Sequence, residues 1–359
     1  MSGARNAPGE FARRLVLWQR QHGRHGLPWQ ASRDPYLVWL SEVMLQQTQV
    51  STVLDYFPRF LARFPDVHSL AEASADDVMA LWSGLGYYSR ARNLHRCAQV
   101  VVAEHGGVFP ASAEALQQLP GIGASTAAAI AAFCHGERVS ILDGNVRRVL
   151  TRVMAFDGDV SRSDVQKQLW SLAQAMLPVA ASPGDMAAYT QGLMDLGATL
   201  CTRSKPACER CPMSDICAGR ASGEPTRFPV KTRKLKRRQE SWWLALVTAA
   251  NEVGELCVWL ERRPSSGIWS GLFCTPVLPD EAALLALHPR AEQIARHGPV
   301  LVHNLTHREL RLHPVVLPLD TPREWAVGRE GQWVPVSALA AWGLPAPLRP
   351  LLADLSVAV

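Results

Sequence analysis

The stretch that decides how this chain folds is Leu119-Pro120-Gly121-Ile122-Gly123. Pro120 and Gly121 are expected to end one helix, whereas Ser125 and Thr126 begin a second, alanine-rich helix. Gly123 is the predicted site of the tight turn, because glycine accepts backbone dihedral angles that other residues avoid. Free N–H groups at a helix N-terminus bind anions, so this helical hairpin is predicted to hold a phosphate of DNA. Such a contact does not read base sequence.

An acidic residue, Asp143, follows the hairpin twenty residues after Gly123. In one interpretation, Asp143 is the N-cap of the helix that begins after it. In the other, its carboxylate stabilises a cation that develops on a sugar during a reaction beside the bound phosphate. The hairpin alone leaves both interpretations open, since similar hairpins occur in DNA-binding proteins that are not enzymes.

The composition limits the possible classes of protein. A length of 359 residues predicts two domains, and 48% hydrophobic residues suffice for a full core. The formal net charge of +5 permits nucleic-acid binding without requiring it. The chain has no apolar run long enough for a transmembrane helix and no secretory signal pattern. We therefore expect a cytoplasmic protein, in which eight cysteines favour metal or cluster binding over disulfides.

The first part of the chain is predicted to be helical. The apolar spacing indicates a first helix that ends near Gly23, a turn that carries Trp29, and a long helix that extends to Phe57. Glu42 stands at the predicted start of the long helix and is followed by a polar run that contains Gln47. Glu42 is either a first-turn acid that complements the helix dipole or a functional group. The glutamines are equally consistent with a solvated face.

The segment Gly84–Tyr88 has the composition of a loop tip. It follows a short helix with a capping-box-like start at Ser74, and it places glycines on both sides of Leu85 before two tyrosines. Apolar and aromatic wedges of this kind enter duplex DNA and unstack its bases. The alternative is that the tyrosines are ordinary core residues. A helix is predicted to resume at Ser89 and continue to His105.

The strongest spacing signal lies after two further predicted helices, near residues 164–177 and 186–200. Four cysteines occur within seventeen residues in the pattern C-x6-C-x2-C-x5-C, at Cys201, Cys208, Cys211 and Cys217. Four thiolates suit either zinc or a 4Fe–4S cluster, and the spacing alone does not separate the two.

The last third of the chain differs in character. Residues 218–240 change from Gly, Ser and Pro to a run of Lys and Arg, which indicates a basic linker that either follows phosphates or is simply solvated. From Trp242 onward the pattern predicts strands, with a hairpin turn at Asn251–Gly254, a helix near 280–288 and strands near 296–303 and 309–317. An α+β domain is expected.

Over nearly its whole length the chain resembles the endonuclease III superfamily of helix-hairpin-helix DNA glycosylases, and within it the adenine DNA glycosylases. The segments that carry this resemblance are, in order, Ser41–Thr48, Gly84–Tyr88, Leu119–Gly123, Leu142–Val146, the four-cysteine motif and Pro264–Leu272. The resemblance implies a multidomain protein, with an all-α helix-hairpin-helix glycosylase module and its iron–sulfur cluster lobe followed by an α+β Nudix-like domain. It also implies that the four cysteines hold one 4Fe–4S cluster, which does not itself break the bond.

The implied domain boundaries are a flexible tail at 1–9, a glycosylase domain at 10–218 with its cluster loop at 201–217, a basic linker at 219–240 and a Nudix-like domain at 241–359. The implied partner is duplex DNA that contains 8-oxoguanine paired with adenine. A monomer that does not bind membranes, active at the nucleoid, is expected.

The resemblance implies a hydrolytic mechanism in which the target base is rotated out of the duplex. Glu42 is the expected acid that protonates adenine, with a pKa raised by a pocket that excludes water. Asp143 is expected to stay ionised and to stabilise the cation on the sugar, as in glycoside hydrolases. Asn145 is expected to orient water or Asp143, and Trp29 to line the adenine pocket.

Other residues are implied to contact DNA. Gln47 and Tyr88 are expected to fill the base stack. The remaining predicted contacts in the first two thirds of the chain are Leu85, Gly121, Gly123 and Ser125. Relatives that cut the strand carry a lysine at the position of Ser125, so this chain is expected to remove the base without cleaving the strand.

Lesion recognition is implied for the C-terminal domain. Relatives carry a Phe-Ser-His segment at the lesion, and the matching residues here are Leu305, Thr306 and His307. The hydroxyl and the imidazole remain, whereas the aromatic ring does not. Nothing after Gly271 supplies the glutamate-rich helix of a Nudix hydrolase, so nucleotide hydrolysis is not expected.

Two other functions fit parts of the sequence. The first is a glycosylase/lyase for damaged pyrimidines, which Ser125 and the additional domain argue against. The second is a non-catalytic DNA-binding or redox-sensing protein with a cluster, which Glu42 and Asp143 argue against.

Overall fold

The computed structural model describes residues 8–179, 181–232, 237–326 and 328–355. Residues 1–7 of the predicted tail and residues 233–236 of the predicted basic linker lie outside the described residues. The chain divides into two compact units. The first contains Met1–Ala71 and Arg96–Lys234, and the second contains Glu72–His95 and Leu235–Val359. Among the described residues, no helix has the length and apolar character needed to cross a membrane.

Helices make up most of the chain as far as residue 221. In order they are α1 Pro8–His22, α2 Pro35–Leu45, α3 Val50–Arg63, α4 Val67–Glu72, α5 Ala75–Trp82, α6 Ser89–His105, α7 Ala113–Leu116, α8 Ala124–Ile130, α9 Gly144–Val153, α10 Ser163–Ala175, α11 Pro183–Thr199 and α12 Ala218–Ala221. Several begin with the expected capping chemistry. Asp34, Ser74 and Ser182 accept hydrogen bonds from first-turn N–H groups of α2, α5 and α11.

The second unit contains a sheet and further short helices. In order they are β1 Arg238–Ala250, β2 Leu256–Arg262, β3 Phe273–Cys274, β4 Val277–Leu278, α13 Glu281–Leu285, α14 Ala291–Ile294, β5 Arg296–His297, β6 Leu301–Asn304, β7 Arg308–Pro318, α15 Arg323–Ala326, β8 Gln332–Pro335 and α16 Leu348–Asp354. The strand order is β3-β2-β1-β7-β5, with β4 beside β1, β6 beside β7 and β8 beside β2. β1 and β7 are parallel, and the other pairings are antiparallel. The predicted α+β character is therefore present.

Each unit has its own apolar core. In the first unit, α1, α9, α10 and α11 bury a shared cluster that includes Phe11, Leu15, Val149, Leu150, Leu169, Tyr189, Leu193 and Leu196. In the second unit, the central strands and the helices α13 and α15 bury a cluster that includes Val247, Trp259, Leu284, Val315, Leu317 and Trp325.

The prediction of one long helix around Glu42 was wrong. The structure has two helices, α2 and α3, which are separated at residues 46–49. Gln47 has a left-handed backbone, with φ of +58°, which is incompatible with a continuous α-helix. Glu42 consequently lies near the C-terminal end of α2 and not in a first turn, so dipole compensation at a helix start does not explain it.

The hairpin between α7 and α8 also differs from its prediction in one respect. Gly121, with φ of +76°, adopts the conformation that requires glycine. Gly123 has ordinary extended angles and is the N-cap of α8, and a Cβ on it would meet nothing within 4 Å. The tight turn therefore lies two residues earlier than expected, and Gly123 leaves open space in front of the helix.

Part of the predicted linker forms regular structure. Residues 225–227 form a turn of 3₁₀ helix, and Phe228 is buried. β1 begins at Arg238, inside the predicted linker range of 219–240. The two-unit division also assigns residues 72–95 to the second unit, whereas the sequence placed them in the glycosylase domain. The domain boundaries stay a prediction.

A close approach between α9 and α11 generates a test of the core. A Cβ on Gly197 of α11 would lie 2.7 Å from Cβ of Asn145 and 3.1 Å from its carbonyl oxygen. We expect Gly197→Ala to lower the free energy of unfolding by about 1–3 kcal/mol, because a packed backbone cannot move away freely. The measurement is the midpoint of thermal or urea unfolding.

The control is Gly184→Ala on the same helix, whose Cβ would meet only Ser182 Oγ at 3.8 Å. This variant is expected to be neutral or slightly more stable than wild type, because alanine favours helix. Equal destabilisation by both substitutions would contradict the close-approach explanation.

Candidate active site and cluster motif

A cavity of about 410 Å³ in the first unit contains the predicted catalytic acid. Its lining includes Arg24, Trp29, Glu42, Phe133, Gln191 and Met194. Trp29 lies in the turn Pro28–Gln30, is buried, and packs edge-on against Phe57 with ring centroids 5.4 Å apart. The cavity therefore combines an aromatic wall with a few polar groups, which is the usual form of a small-molecule or base pocket.

The carboxyl group of Glu42 is held in a protonated state by its surroundings. Burial among protein atoms raises its pKa from 4.5 to about 8, and the negative charge of Asp143 contributes to the same shift. The residue as a whole keeps some accessible surface, because it faces the open cavity. At neutral pH this carboxyl group is suited to donate a proton to a molecule in the cavity.

Asp143 is both the N-cap of α9 and the electrostatic neighbour of Glu42. Its Oδ1 accepts a hydrogen bond of 2.7 Å from the N–H of Val146. Burial raises the pKa of Asp143, although the N–H groups of Val146 and Asn145 and the charges of Arg148 and Arg147 act in the opposite direction. The capping interpretation from the sequence is thus correct, and it does not exclude a chemical role.

The hairpin helix is tied to the segment that carries Asp143. Ser125 Oγ accepts a hydrogen bond of 3.1 Å from the N–H of Leu142, the residue before Asp143. Thr126 Oγ1 accepts one of 3.3 Å from Gln46 Nε2, just beyond the end of α2. The start of α8 therefore connects the elements that carry Glu42 and Asp143.

Asn145 participates in a network that sequence reasoning missed. Its Oδ1 accepts a 2.8 Å hydrogen bond from Arg148, which also donates to the carbonyl oxygens of Gly197 and Cys201 at 2.7 Å. The signal was present, since residues three apart share a helix face. Asn145 is therefore fixed by an arginine that also contacts the cysteine segment.

The four cysteines line one small, mostly apolar cavity, together with residues that include Val149, Leu196 and Met213. Burial raises the pKa of Cys211 to about 12, and the other three sulfurs contribute to that shift. Arg152, itself 2% exposed, places Nη1 3.4 Å from Cys201 Sγ and donates to the carbonyl oxygens of Thr202, Arg203 and Phe228. Four thiols that line one cavity beside a guanidinium fit an iron–sulfur cluster, whose iron compensates thiolate charge.

Among the described residues, no three His, Cys, Asp or Glu side chains lie in an arrangement that would hold a single metal ion. The assignment of an iron–sulfur cluster to this site therefore rests on the four thiols and the cavity that they share, and not on a tight arrangement of ligands.

The loop at residues 84–88 differs from its prediction. Leu85 is 6% exposed and Tyr88 is 8% exposed, and the Tyr88 hydroxyl donates a 2.8 Å hydrogen bond to the carbonyl oxygen of Leu344. Tyr87 is instead 46% exposed, with φ of +47°. Neither Leu85 nor Tyr88 projects from the loop as expected, because both pack inside the second unit. The exposed aromatic residue is Tyr87, which sequence reasoning did not choose.

The residues predicted to recognise the lesion lie at the tip of the β6–β7 hairpin. There the N–H of Leu305 donates a hydrogen bond of 2.8 Å to the carbonyl oxygen of Arg308. Thr306 and His307 are exposed at this tip. Thr306 Oγ1 lies 3.3 Å from the hydroxyl of Tyr87, which belongs to the same unit. Both line a cavity of about 430 Å³ that also contains Trp269, Arg92 and His303.

Three other predicted DNA contacts are also exposed, whereas Ser125 is half-buried. Gln47, Gly121 and Gly123 all present accessible surface in the first unit.

Arg24 and Gln191, which sequence reasoning missed, line the same cavity as Glu42. No local motif distinguishes them, because α1 and α11 bring them together only in the folded chain.

Family comparisons agree with this arrangement of elements. Residues 40–175 match the HhH-GPD superfamily of base excision DNA repair proteins. Residues 201–217 match the iron–sulfur binding domain of endonuclease III, and residues 244–354 match the NUDIX domain. The predicted fold class and the predicted iron–sulfur cofactor are confirmed. The fold and site thus define a helix-hairpin-helix glycosylase of base excision repair.

Comparisons with individual proteins narrow this class. The chain is 33% identical to an adenine DNA glycosylase of Buchnera aphidicola, over 95% of this chain and 96% of the relative. It is 36% identical to the human adenine DNA glycosylase, over 86% of this chain and 67% of the relative. A solved thermostable thymine-DNA glycosylase superposes with a TM-score of 0.54 at 26% identity, over 60% of this chain and 98% of that structure. The chain belongs to the adenine DNA glycosylase family.

The raised pKa of Glu42 predicts a characteristic dependence of stability on pH. The unfolded chain loses this proton near the ordinary pKa of 4.5, whereas the folded chain keeps it to about 8. The free energy of unfolding should therefore decrease as pH rises through that interval. Glu42→Gln has no proton to lose, so its stability relative to wild type should increase with pH.

The measurement is urea unfolding of both proteins across this pH range. Glu114→Gln, at an exposed position of α7, is the control and should follow the wild-type profile. Parallel profiles for wild type and Glu42→Gln would show that burial does not raise the pKa of Glu42.

Proposed function

We propose that this chain is a monofunctional DNA glycosylase that removes adenine paired with 8-oxoguanine or guanine in duplex DNA, in base excision repair. The observation that carries the proposal is the pairing of a protonated Glu42 in a base-sized cavity with a second carboxyl group, Asp143, within electrostatic range. The membership of the chain in the adenine DNA glycosylase family supports adenine as the base. The lesion preference rests on Thr306 and His307.

Glu42 acts as the general acid. Adenine is a poor leaving group as an anion, so protonation of its N7 by Glu42 lets it depart as a neutral base when the N9–C1′ bond breaks. The electron pair of that bond stays on adenine, and positive charge develops on the sugar. The Glu42 carboxylate then accepts a proton from a water molecule while the oxygen of that water bonds to C1′. This step restores the protonated acid and leaves an abasic site.

Asp143 stabilises the sugar cation. Its position at the N-terminus of α9 exposes it to N–H donors and arginine charges that favour its ionised form against the cost of burial. Asn145, held by Arg148, orients Asp143 or the attacking water. Two carboxyl groups in opposite protonation states perform the two tasks that bond cleavage requires.

Strand cleavage does not follow base removal. A lyase needs an amine that forms a Schiff base with the sugar, and Ser125 provides a hydroxyl that is hydrogen-bonded to Leu142. Arg147 is also unsuitable as a nucleophile, because its guanidinium stays protonated.

The two units provide separate DNA contacts. In the first, the Gly121 turn and the N-terminus of α8 hold a phosphate, and the absence of a side chain at Gly123 allows close approach. Gln47 fills the stack from the loop between α2 and α3. In the second, Tyr87 is the better candidate than Tyr88 for stacking, because it is the exposed aromatic residue.

The cofactor is one 4Fe–4S cluster, for which Cys201, Cys208, Cys211 and Cys217 are the proposed ligands. These four residues would hold the cluster, which would cross-link the segment that follows α11, and the proposed proton transfer at Glu42 does not require it. We further propose that the protein acts as a monomer at the nucleoid, with a glycosylase domain at 10–218 and a Nudix-like domain at 241–359.

A strand-scission assay tests the reaction. Duplex DNA with 8-oxoguanine opposite adenine is incubated with the protein and then treated with alkali, which cuts abasic sites. We expect cleavage only after alkali, because Ser125 cannot act as a lyase nucleophile. Glu42→Gln should lower the single-turnover rate by about 10²- to 10⁴-fold, the contribution of a general acid, while duplex binding remains.

Glu114→Gln is the matched control and should retain full activity. Undiminished turnover by Glu42→Gln would remove Glu42 from the acid role. Binding to the duplex without base release by the wild type would favour a non-catalytic DNA-binding protein.

The placement of the two tyrosines gives a second test. We expect Tyr87→Ala to weaken binding to the 8-oxoguanine–adenine duplex about tenfold, because stacking of one base on an aromatic ring is lost. Tyr88→Phe, which removes only the hydroxyl that bonds to Leu344, should bind normally. Affinity is measured by fluorescence anisotropy, and unchanged binding by Tyr87→Ala would contradict the assignment of Tyr87 as the stacking residue.

A further inference from the structure

A buried aspartate lies behind the cavity that contains Glu42. Asp195, on α11, has 0% exposure and contributes no atom to the cavity lining. It accepts three hydrogen bonds from two residues: the N–H and Nε of Arg24, at 2.9 and 2.7 Å, and Nε2 of Gln191, at 2.8 Å. Both of these residues do line the cavity. Asp195 thus contacts two polar residues of the cavity wall without lining the cavity itself.

The chemistry of this contact determines how the Gln191 amide is oriented. A carboxylate paired with a guanidinium is ionised and has only acceptor oxygens. The NH₂ group of Gln191 must therefore point toward Asp195, and its carbonyl oxygen, Oε1, points away. An amide that bonded instead to a neutral partner such as asparagine would be able to rotate and exchange the two groups.

The same carboxylate holds the loop that precedes Trp29. Arg24 follows α1 in an irregular segment, and its backbone N–H and Nε both bond to Asp195. The side chain of Arg24 keeps 30% exposure. Loss of a buried hydrogen-bonded charge is costly, so this arrangement is rigid in the folded protein. Rigid polar groups are what a cavity needs to discriminate between similar bases.

We propose that Asp195 is a positioning residue that fixes the Gln191 amide with its carbonyl oxygen toward the cavity, so that a purine with a 6-amino group is accepted and one with a 6-oxo group is disfavoured. This inference rests on the proposed removal of adenine and adds the source of its selectivity. A 6-amino group donates to the carbonyl oxygen of Gln191. A 6-oxo group presents a second acceptor to it, and two acceptors repel each other.

The test compares single-turnover rates on duplexes that carry adenine, hypoxanthine or unsubstituted purine at the same position opposite 8-oxoguanine. The proteins are wild type, Asp195→Asn, Gln191→Ala and the double variant, each with its unfolding midpoint measured. The quantity compared is the ratio of the adenine rate to the hypoxanthine rate. A ratio of this kind cancels losses that affect all substrates equally.

We expect Asp195→Asn to lower the ratio about tenfold, the value of one hydrogen bond, because the Gln191 amide becomes free to rotate. Gln191→Ala should lower it by a similar factor, and the double variant should show no further decrease, because the two residues act through one group. Unsubstituted purine has neither donor nor acceptor at its 6-position. Its rate of release should therefore rise relative to the adenine rate in both single variants.

Two results would overturn the inference alone: an equal loss of rate on all three bases in Asp195→Asn, which indicates a purely structural role, or an unchanged ratio in Gln191→Ala. The second result is decisive even if Asp195→Asn does not fold. Wild-type protein that releases adenine from no duplex would overturn the proposed function, and this inference with it.

Discussion

The desolvation of one carboxyl group is the constraint on which the proposed active site depends. Glu42 lies on a short helix whose neighbours remove water from one side and leave the cavity open on the other. Burial raises its pKa to about 8, which favours the protonated form at neutral pH. An ionised Asp143 adds to this effect. The same burial lowers the free energy of unfolding above neutral pH, because the folded chain disfavours the ionised carboxyl group. The protein therefore keeps a destabilising group at the proposed active site.

Helix α9 connects the chemistry to the cysteine motif. Its N-cap is Asp143, its first turn contains Asn145, and its side chains Arg148 and Arg152 contact the segment that begins at Cys201. Arg152 is almost fully buried and is satisfied mainly by backbone carbonyl groups. A buried arginine of this kind is costly to leave unpaired. The cysteine segment and helix α9 are therefore connected directly within the first unit.

The sequence was sufficient for the fold and for the residues that carry recognisable motifs. The helical hairpin and the cysteine spacing were visible as local patterns, whereas the roles of Glu42 and Asp143 were implied by the resemblance to a known family. The sequence was insufficient where tertiary packing determines which residues are exposed and which become neighbours. Periodicity could not show the break at Gln47, because both helices continue the same apolar pattern across it. The choice between Tyr87 and Tyr88 depended on which ring the second unit buries, and Arg24 and Gln191 become neighbours only through the packing of α11 against α1.

Backbone strain gives independent support for two of the proposed DNA contacts. Four non-glycine residues in the described chain have positive φ: Gln47, Tyr87, Ala155 and Trp269. Such conformations cost energy and persist where the surroundings enforce them, which is often at functional sites. Gln47 and Tyr87 are the two residues proposed to enter the base stack, and Trp269 lines the same cavity as Tyr87 and Thr306. Because strain depends on backbone angles and not on side-chain chemistry, it supports these assignments without relying on the motifs that first suggested them.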